Sequence, residues 1–124
     1  MKGLIWNCKT VAWKNGEKLY KKKNNCLLVY ICCESGDKGK QIKQTVRRII
    51  QLNNKRYNKN KVIIFPFAHL SNNIMPGHHA KEIMLNISEM LQRTSSVSVM
   101  DFNVSKEVKI HLLPENKDVS YFSY

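Results

Sequence analysis

The chain has 124 residues, of which 43% are hydrophobic and 24% charged, a composition typical of a compact globular domain. No apolar run approaches the roughly 20 residues that a membrane-spanning helix needs. The apolar stretch at the start of the chain is too short for a signal peptide. We therefore expect a single cytoplasmic domain over residues 1–124 that does not contact a membrane.

Basic side chains are concentrated in the first half of the chain. Residues 1–61 hold 16 basic and 3 acidic side chains, a net charge of +13, within an overall net charge of +12. Residues 62–124 hold 5 basic and 6 acidic side chains, a net charge of −1. Such a one-sided field attracts polyanions, chiefly nucleic acid. Charge alone leaves open a nucleic-acid-binding surface or an ordinary solvated basic face.

The first half of the chain predicts three strands followed by a helix. Strands are predicted at about 2–8 and 10–13, before a turn at Asn15-Gly16. The continuous apolar run from Cys26 to Cys33 is typical of a central strand that is buried on both faces. Apolar residues at helical spacing then predict a helix at about 38–56.

The second half predicts one buried strand, one helix and two late strands. Residues 61–65 form a short apolar run that Pro66 ends, which indicates a buried strand. An apolar stripe predicts a helix at about 77–93. Alternating residues predict strands at 96–99 and 107–112.

Two segments rich in lysine and asparagine, 21–25 and 53–60, are predicted as loops between these elements. The resulting order of strands and helices implies an α/β fold, in which a mixed β-sheet is covered by two helices.

Metal and cofactor chemistry is not indicated. The four cysteines form no Cys-x-x-Cys pair, and Cys32 and Cys33 should face opposite ways on a strand. His78 and His79 are neighbours on the predicted helix and should point about 100° apart. We predict no metal site and no cofactor.

The segment Phe65-Pro66-Phe67-Ala68-His69-Leu70-Ser71, called here the motif loop, follows a buried strand and precedes a helix. Ligands of open α/β sheets bind at such strand ends. His69 offers a ring that can donate and accept hydrogen bonds near neutral pH, and Ser71 can cap the turn. The residues alone leave open a ligand-binding loop or a rigid loop with a hydrogen-bonded histidine.

Ile64 to Ser71 closely resembles the Tyr-Pro-Phe-Ala-His-Leu-Ser segment of the archaeal threonyl-tRNA synthetase N-terminal editing domain. Met1–Cys8 and Leu27–Glu34 resemble two strands of that family, and Phe102–Ile110 resembles its Phe-Gly-Tyr-Tyr-Lys-Ala-Phe-Lys-Ile segment. The resemblance implies a fold similar to D-aminoacyl-tRNA deacylases. It also implies hydrolysis of serine wrongly esterified to threonine tRNA, with the terminal ribose assisting the attacking water.

The resemblance also implies site residues. The catalytic residues it implies are Lys106 and His69. The substrate-binding positions that it implies are Cys33, Pro66, Phe67, Ala68, Ser105 and Asp118. Three of the matched positions depart from the family: Ser105 replaces a tyrosine, Asn103 replaces a glycine, and Asp118 matches a glutamate only across a one-residue gap.

Other functions stay open. The substrate could instead be D-aminoacyl-tRNA, or the chain could be a weakened module that binds tRNA without turnover. A generic RNA-binding domain would show an exposed aromatic cluster, and Trp6, Trp13 and Tyr30 look isolated in the sequence. The expected partner is the acceptor end of threonine tRNA. The resemblance leaves open a homodimer and attachment to the rest of a threonyl-tRNA synthetase.

Overall fold

The computed structural model describes residues 1–16, 19–113 and 119–124, and these ranges form one mixed sheet with two α-helices against it. The predicted fold class is confirmed. The strands are β1 (Lys2–Lys14), β2 (Lys21–Cys32), β3 (Lys61–Pro66), β4 (Ser96–Val99), β5 (Glu107–Leu112) and β6 (Val119–Ser123). The helices are α1 (Gly39–Leu52) and α2 (Gly77–Leu91).

The strand order across the sheet is β4-β3-β2-β1-β5, and β6 also pairs with β1. β1 runs antiparallel to β2, β5 and β6, whereas β2, β3 and β4 run parallel to one another. The crossovers between the parallel strands carry α1 and α2, as parallel pairing requires. The carboxyl ends of β2 and β3 therefore lie at the same edge of the sheet.

Both helices pack on one face of the sheet and complete the larger hydrophobic core. The predicted stripes supply this contact, because Val46 and Ile49 of α1 are buried, as are Ile87 and Leu91 of α2. A smaller cluster covers the other face. It contains Cys8, Val11, Trp13, Cys26, Leu28, Ile63 and Met100.

The predicted strands at 2–8 and 10–13 are in fact one strand. β1 is continuous, and the register of its pairing with β5 shifts between Cys8 and Thr10. Such an irregularity bends a strand without ending it. This bend lets the later half of β1 pair with β5 while the earlier half pairs with β6.

Two further expectations are corrected, and one strand was missed. Residues 21–25 belong to β2 and are not a loop, because they pair with β1 from Trp13 back toward Cys8. Their lysines are tolerated because those positions are largely exposed. α1 ends at Leu52, and a π-helical turn over Asn53–Tyr57 follows before Asn58 takes a left-handed φ of 49°. β6 was not predicted at all.

Candidate active site

A pocket of about 540 Å³ opens at the carboxyl ends of β2 and β3. Ile31 and Cys33 line it from the end of β2, and the motif loop lines it from the end of β3. The first turns of α2 and the segment 102–106 complete the wall. The cavity thus lies where ligands of parallel strands are commonly bound.

Backbone hydrogen bonds join the motif loop and the residues that follow it, as far as Met75, to the end of β2 and to Cys33 just beyond it. The Phe67 N–H donates to the Ile31 carbonyl at 3.0 Å, and the Met75 N–H donates to the Cys33 carbonyl at 3.1 Å. Between these two bonds, Ala68–Leu70 form a short 3₁₀ helix. This wall is therefore held by main-chain atoms at both of its ends.

Glu34 supplies a side-chain link between β2 and the motif loop. Ser71 Oγ donates a hydrogen bond of 2.6 Å to Glu34 Oε2, and itself accepts one from the Asn73 N–H at 3.1 Å, which confirms Ser71 as a turn cap. The Met1 ammonium and Lys2 Nζ lie 3.0 and 3.1 Å from the same carboxylate. The hydrogen bond from Ser71, with the two cations, lowers the pKa of Glu34 to about 2.

Lys106 lines the pocket from the opposite wall. It follows a turn at 102–104 and directly precedes β5. Its ammonium lies 5.1 Å from the centroid of the Phe65 ring, within the range of a cation–π contact. Burial lowers the pKa of Lys106 below its ordinary value, and the charge of Asp101 partly opposes that shift.

Asn103 helps to shape the same wall. It has a φ of +53°, in the left-handed region that glycine favours. Asparagine tolerates this conformation better than most residues, so Asn103 suits the turn. Gly77 approaches this side chain closely, since a Cβ on Gly77 would lie 3.1 Å from Asn103 Nδ2.

The structure brings together most of the residues that the sequence singled out. The pocket is lined by Cys33, Pro66, Phe67, Ala68, His69, Ser105 and Lys106. His69 is exposed at its mouth, with its ring edge-on to Phe67 at a centroid distance of 5.2 Å. Cys33 is buried, which raises the pKa of its thiol to about 12. Asp118 lies outside the described residues.

An aromatic row beside the pocket was missed by the sequence. Tyr30 stacks on Trp6 at 5.5 Å between ring centroids, and lies 4.6 Å from Phe65 and 4.8 Å from Phe67. The expectation that Trp6 and Tyr30 are isolated is therefore wrong. Only the strand register brings these rings together, since Tyr30 lies opposite Phe65 in the parallel pair.

His78 and His79 lie closer together than the helical spacing predicts, with ring centroids 4.2 Å apart. Both are exposed in the first turn of α2, where nothing holds the rings apart. Within the described ranges, no group of three or more histidine, cysteine or acidic side chains is arranged to hold a metal. No helix in the same ranges is long and apolar enough to cross a membrane.

Comparison with solved structures defines the fold as D-aminoacyl-tRNA deacylase-like. The chain matches a c-Myc DNA unwinding element binding protein with a TM-score of 0.82, at 14% identity and over 100% of this chain and 99% of that one. It also matches a probable eukaryotic D-amino acid tRNA deacylase with a TM-score of 0.69, at 7% identity and over 98% and 97% of the two chains.

The sequence itself defines the family more narrowly. The chain belongs to the archaea-specific editing domain of threonyl-tRNA synthetase, whose family model matches residues 1–115. A threonine–tRNA ligase of Methanococcus vannielii is 32% identical over 105 residues, and one of Hyperthermus butylicus is 29% identical over 93 residues. These matches cover 82% and 70% of this chain but only 17% and 15% of the ligases.

Proposed function

We propose that this chain removes serine from mischarged threonine tRNA by hydrolysing the ester between the amino acid and the terminal ribose. The observation that carries the proposal is the single pocket that both the motif loop and Lys106 line. Its volume of about 540 Å³ suits a small ligand such as an aminoacylated adenosine. Membership of an editing-domain family supports tRNA editing as the general activity.

The chemistry proposed for Lys106 follows from its surroundings. Attack of water on the ester carbonyl places negative charge on the carbonyl oxygen. A fixed ammonium stabilises that charge more strongly when it is partly removed from water. Lys106 is half-buried, so it meets this condition. His69, at the mouth, would orient the substrate through a ring that can donate or accept hydrogen bonds.

The need for such a site follows from the chemistry of the two amino acids. Serine and threonine differ by one methyl group, which a binding pocket distinguishes by only about 1–3 kcal/mol. A second site that hydrolyses the wrong ester adds discrimination. It has to exclude or misplace the extra methyl group, and a wall held by main-chain hydrogen bonds suits that task.

The direct test uses the purified chain with threonine tRNA charged either with serine or with threonine. We expect release of serine well above the uncatalysed rate and little release of threonine. Equal rates on both esters, or no release of either, would contradict the proposal. A D-seryl-tRNA arm distinguishes the alternative substrate, since preference for the D-ester would assign the site to D-amino acids.

Ser105 favours a second candidate, a module that binds tRNA without turnover. It stands where the resembled family has a tyrosine, so one aromatic hydroxyl is missing from the lysine side of the pocket. Under this alternative, the chain would bind charged and uncharged tRNA equally and release no amino acid. Installing the missing group with Ser105→Tyr would then raise the rate from background.

The basic first half of the chain is proposed to hold the tRNA through its phosphates. Residues 1–61 carry a net charge of +13, and phosphate contacts of this kind weaken steeply as salt rises. Affinity for tRNA should therefore fall by at least about tenfold between 50 and 200 mM salt. A binding constant that barely changes over this range would exclude this mode of binding.

A further inference from the structure

The geometry points to a second subsite, next to the pocket, for the backbone phosphate that precedes the terminal nucleotide of an RNA 3′ end. The inference rests on the proposed function, because it extends the path of the same substrate beyond its aminoacylated adenosine. The subsite is a small depression between the start of β2 and the segment that leads into β5.

Lys106 joins the two sites. It lines the main pocket and also lines the depression, whose other walls include Trp13, Lys14 and Lys21. An RNA strand with its terminal ribose in the main pocket would pass over Lys106 as it leaves. The next group along that strand is a phosphodiester.

The size of the depression selects a small group. Its volume is about 70 Å³, against about 540 Å³ for the main pocket. A space of this size suits a small group such as a phosphate better than a nucleobase. The second subsite would therefore bind the backbone and not read the base.

Charge assigns the main contact to Lys21. Three lysines and one carboxylate, Asp101, line the depression. Lys14 Nζ lies 3.7 Å from Glu107 Oε2. The negative charge of Asp101 favours the protonated form of Lys106. Within the described part of the chain, no carboxylate lies within 4.0 Å of Lys21. Lys106 also has no carboxylate within that distance among the described residues, but it lines the main pocket as well, whereas Lys21 lines only the depression.

The backbone at Lys21 is held in the β1–β2 ladder. Lys21 pairs with Trp13 across the β1–β2 ladder, and the Trp13 indole is only 6% exposed. Lys22, the next residue, has its side chain on the opposite face of the strand because strand residues alternate. Lys22 is also exposed and does not line the depression. It is the matched control for loss of one charge.

The test measures binding of two probes to the full chain, one carrying a phosphodiester and one without. The first is a labelled CCA trinucleotide, and the second is a seryl-adenosine analogue with an amide in place of the ester. We expect Lys21→Ala to weaken CCA binding about threefold to tenfold. It should also make the slope of log K against log salt less steep by about 0.7. Affinity for the analogue should stay within twofold.

Lys22→Ala should leave both affinities and the salt slope within error. Equal losses in the two variants, or an unchanged salt slope in Lys21→Ala, would overturn the subsite. Weakened binding of the analogue in Lys21→Ala would also overturn it, because Lys21 would then act on the main pocket. If Lys21→Ala and Lys22→Ala differ in binding as expected but the wild-type chain releases no amino acid, the proposed reaction fails while the phosphate subsite stands.

Discussion

The two walls of the pocket are built in different ways. The wall formed by the motif loop and the residues up to Met75 is joined to the end of β2 and the residues after it through main-chain hydrogen bonds and the Ser71–Glu34 contact. The opposite wall, residues 102–106, is a turn without regular secondary structure. Its lysine is partly desolvated and lies over the Phe65 ring. Under the proposed function, the first wall sets the shape of the pocket and the second wall supplies the positive charge.

The largest effect is expected from Lys106→Ala, which removes the charge of the second wall. Because loss of a charge-stabilising donor typically costs about 10²–10³ in rate, single-turnover deacylation of seryl-tRNA should slow by that factor. Affinity for tRNA should fall far less than the rate does, since 16 of the 21 basic residues lie in residues 1–61. Lys106→Arg should restore little activity, because a planar guanidinium presents a different geometry.

Lys61→Ala is the control for Lys106→Ala, because Lys61 is exposed at the opposite end of β3 from Pro66. Its rate should match that of the wild type. A Lys106→Ala variant that keeps full turnover would show that the lysine wall contributes no chemistry.

Glu34→Gln, beside the first wall, should lower the free energy of unfolding. The pKa of Glu34 is lowered from 4.5 to about 2 in the folded chain, so its ionised form stabilises the fold above pH 4.5. The loss at neutral pH should be about 1–2 kcal/mol, after allowance for solvent screening of a partly exposed carboxylate.

Because the folded pKa is the lower one, this stabilisation disappears as the pH falls from about 4.5 toward 2. Denaturant titrations of the two proteins should therefore differ at pH 7 and converge at acid pH. A constant difference between the wild type and Glu34→Gln down to pH 2 would contradict an origin in the ionised carboxylate, which Ser71 and the two cations stabilise.

The smallest effect is expected from Asp101→Asn, which tests how a neighbouring charge sets the pKa of Lys106 in the second wall. Asp101 raises the pKa of Lys106 against the effect of burial. Without that charge the pKa falls further, so activity that needs the protonated lysine should be lost at a lower pH. Rate profiles corrected for uncatalysed hydrolysis should show this limb shifted toward acid. A shift toward alkali would contradict the assignment, and Asp101→Glu should retain the wild-type profile.

Local patterns predicted those elements whose signals lie within one segment of chain. β4 and β5 have the predicted bounds, and α2 and β3 are close to theirs, because each has its own periodicity and a stop such as Pro66. The motif loop was found because it directly follows a buried strand. Its role as substrate-binding or catalytic structure stays a prediction.

What the sequence did not predict depends on long-range pairing. Residues 21–25 look like a loop because their lysines and asparagines are poor strand formers, and only their ladder with β1 makes them a strand. The aromatic row needs the register of three strands at once. The Glu34–Ser71 contact joins residues 37 positions apart, and no local pattern reports it.

Burial of Cys33 has a consequence for the kind of intermediate that the pocket can form. A thiol beside an activated ester can attack it and trap the amino acid as a thioester, but only the thiolate is an effective nucleophile. Burial, reinforced by the nearby Asp37 carboxylate, holds the pKa of Cys33 at about 12, so the sulfur stays protonated at neutral pH. The thiol is therefore a small, unreactive part of the wall, and under the proposed function the amino acid would leave by direct attack of water and not through a covalent adduct of the protein.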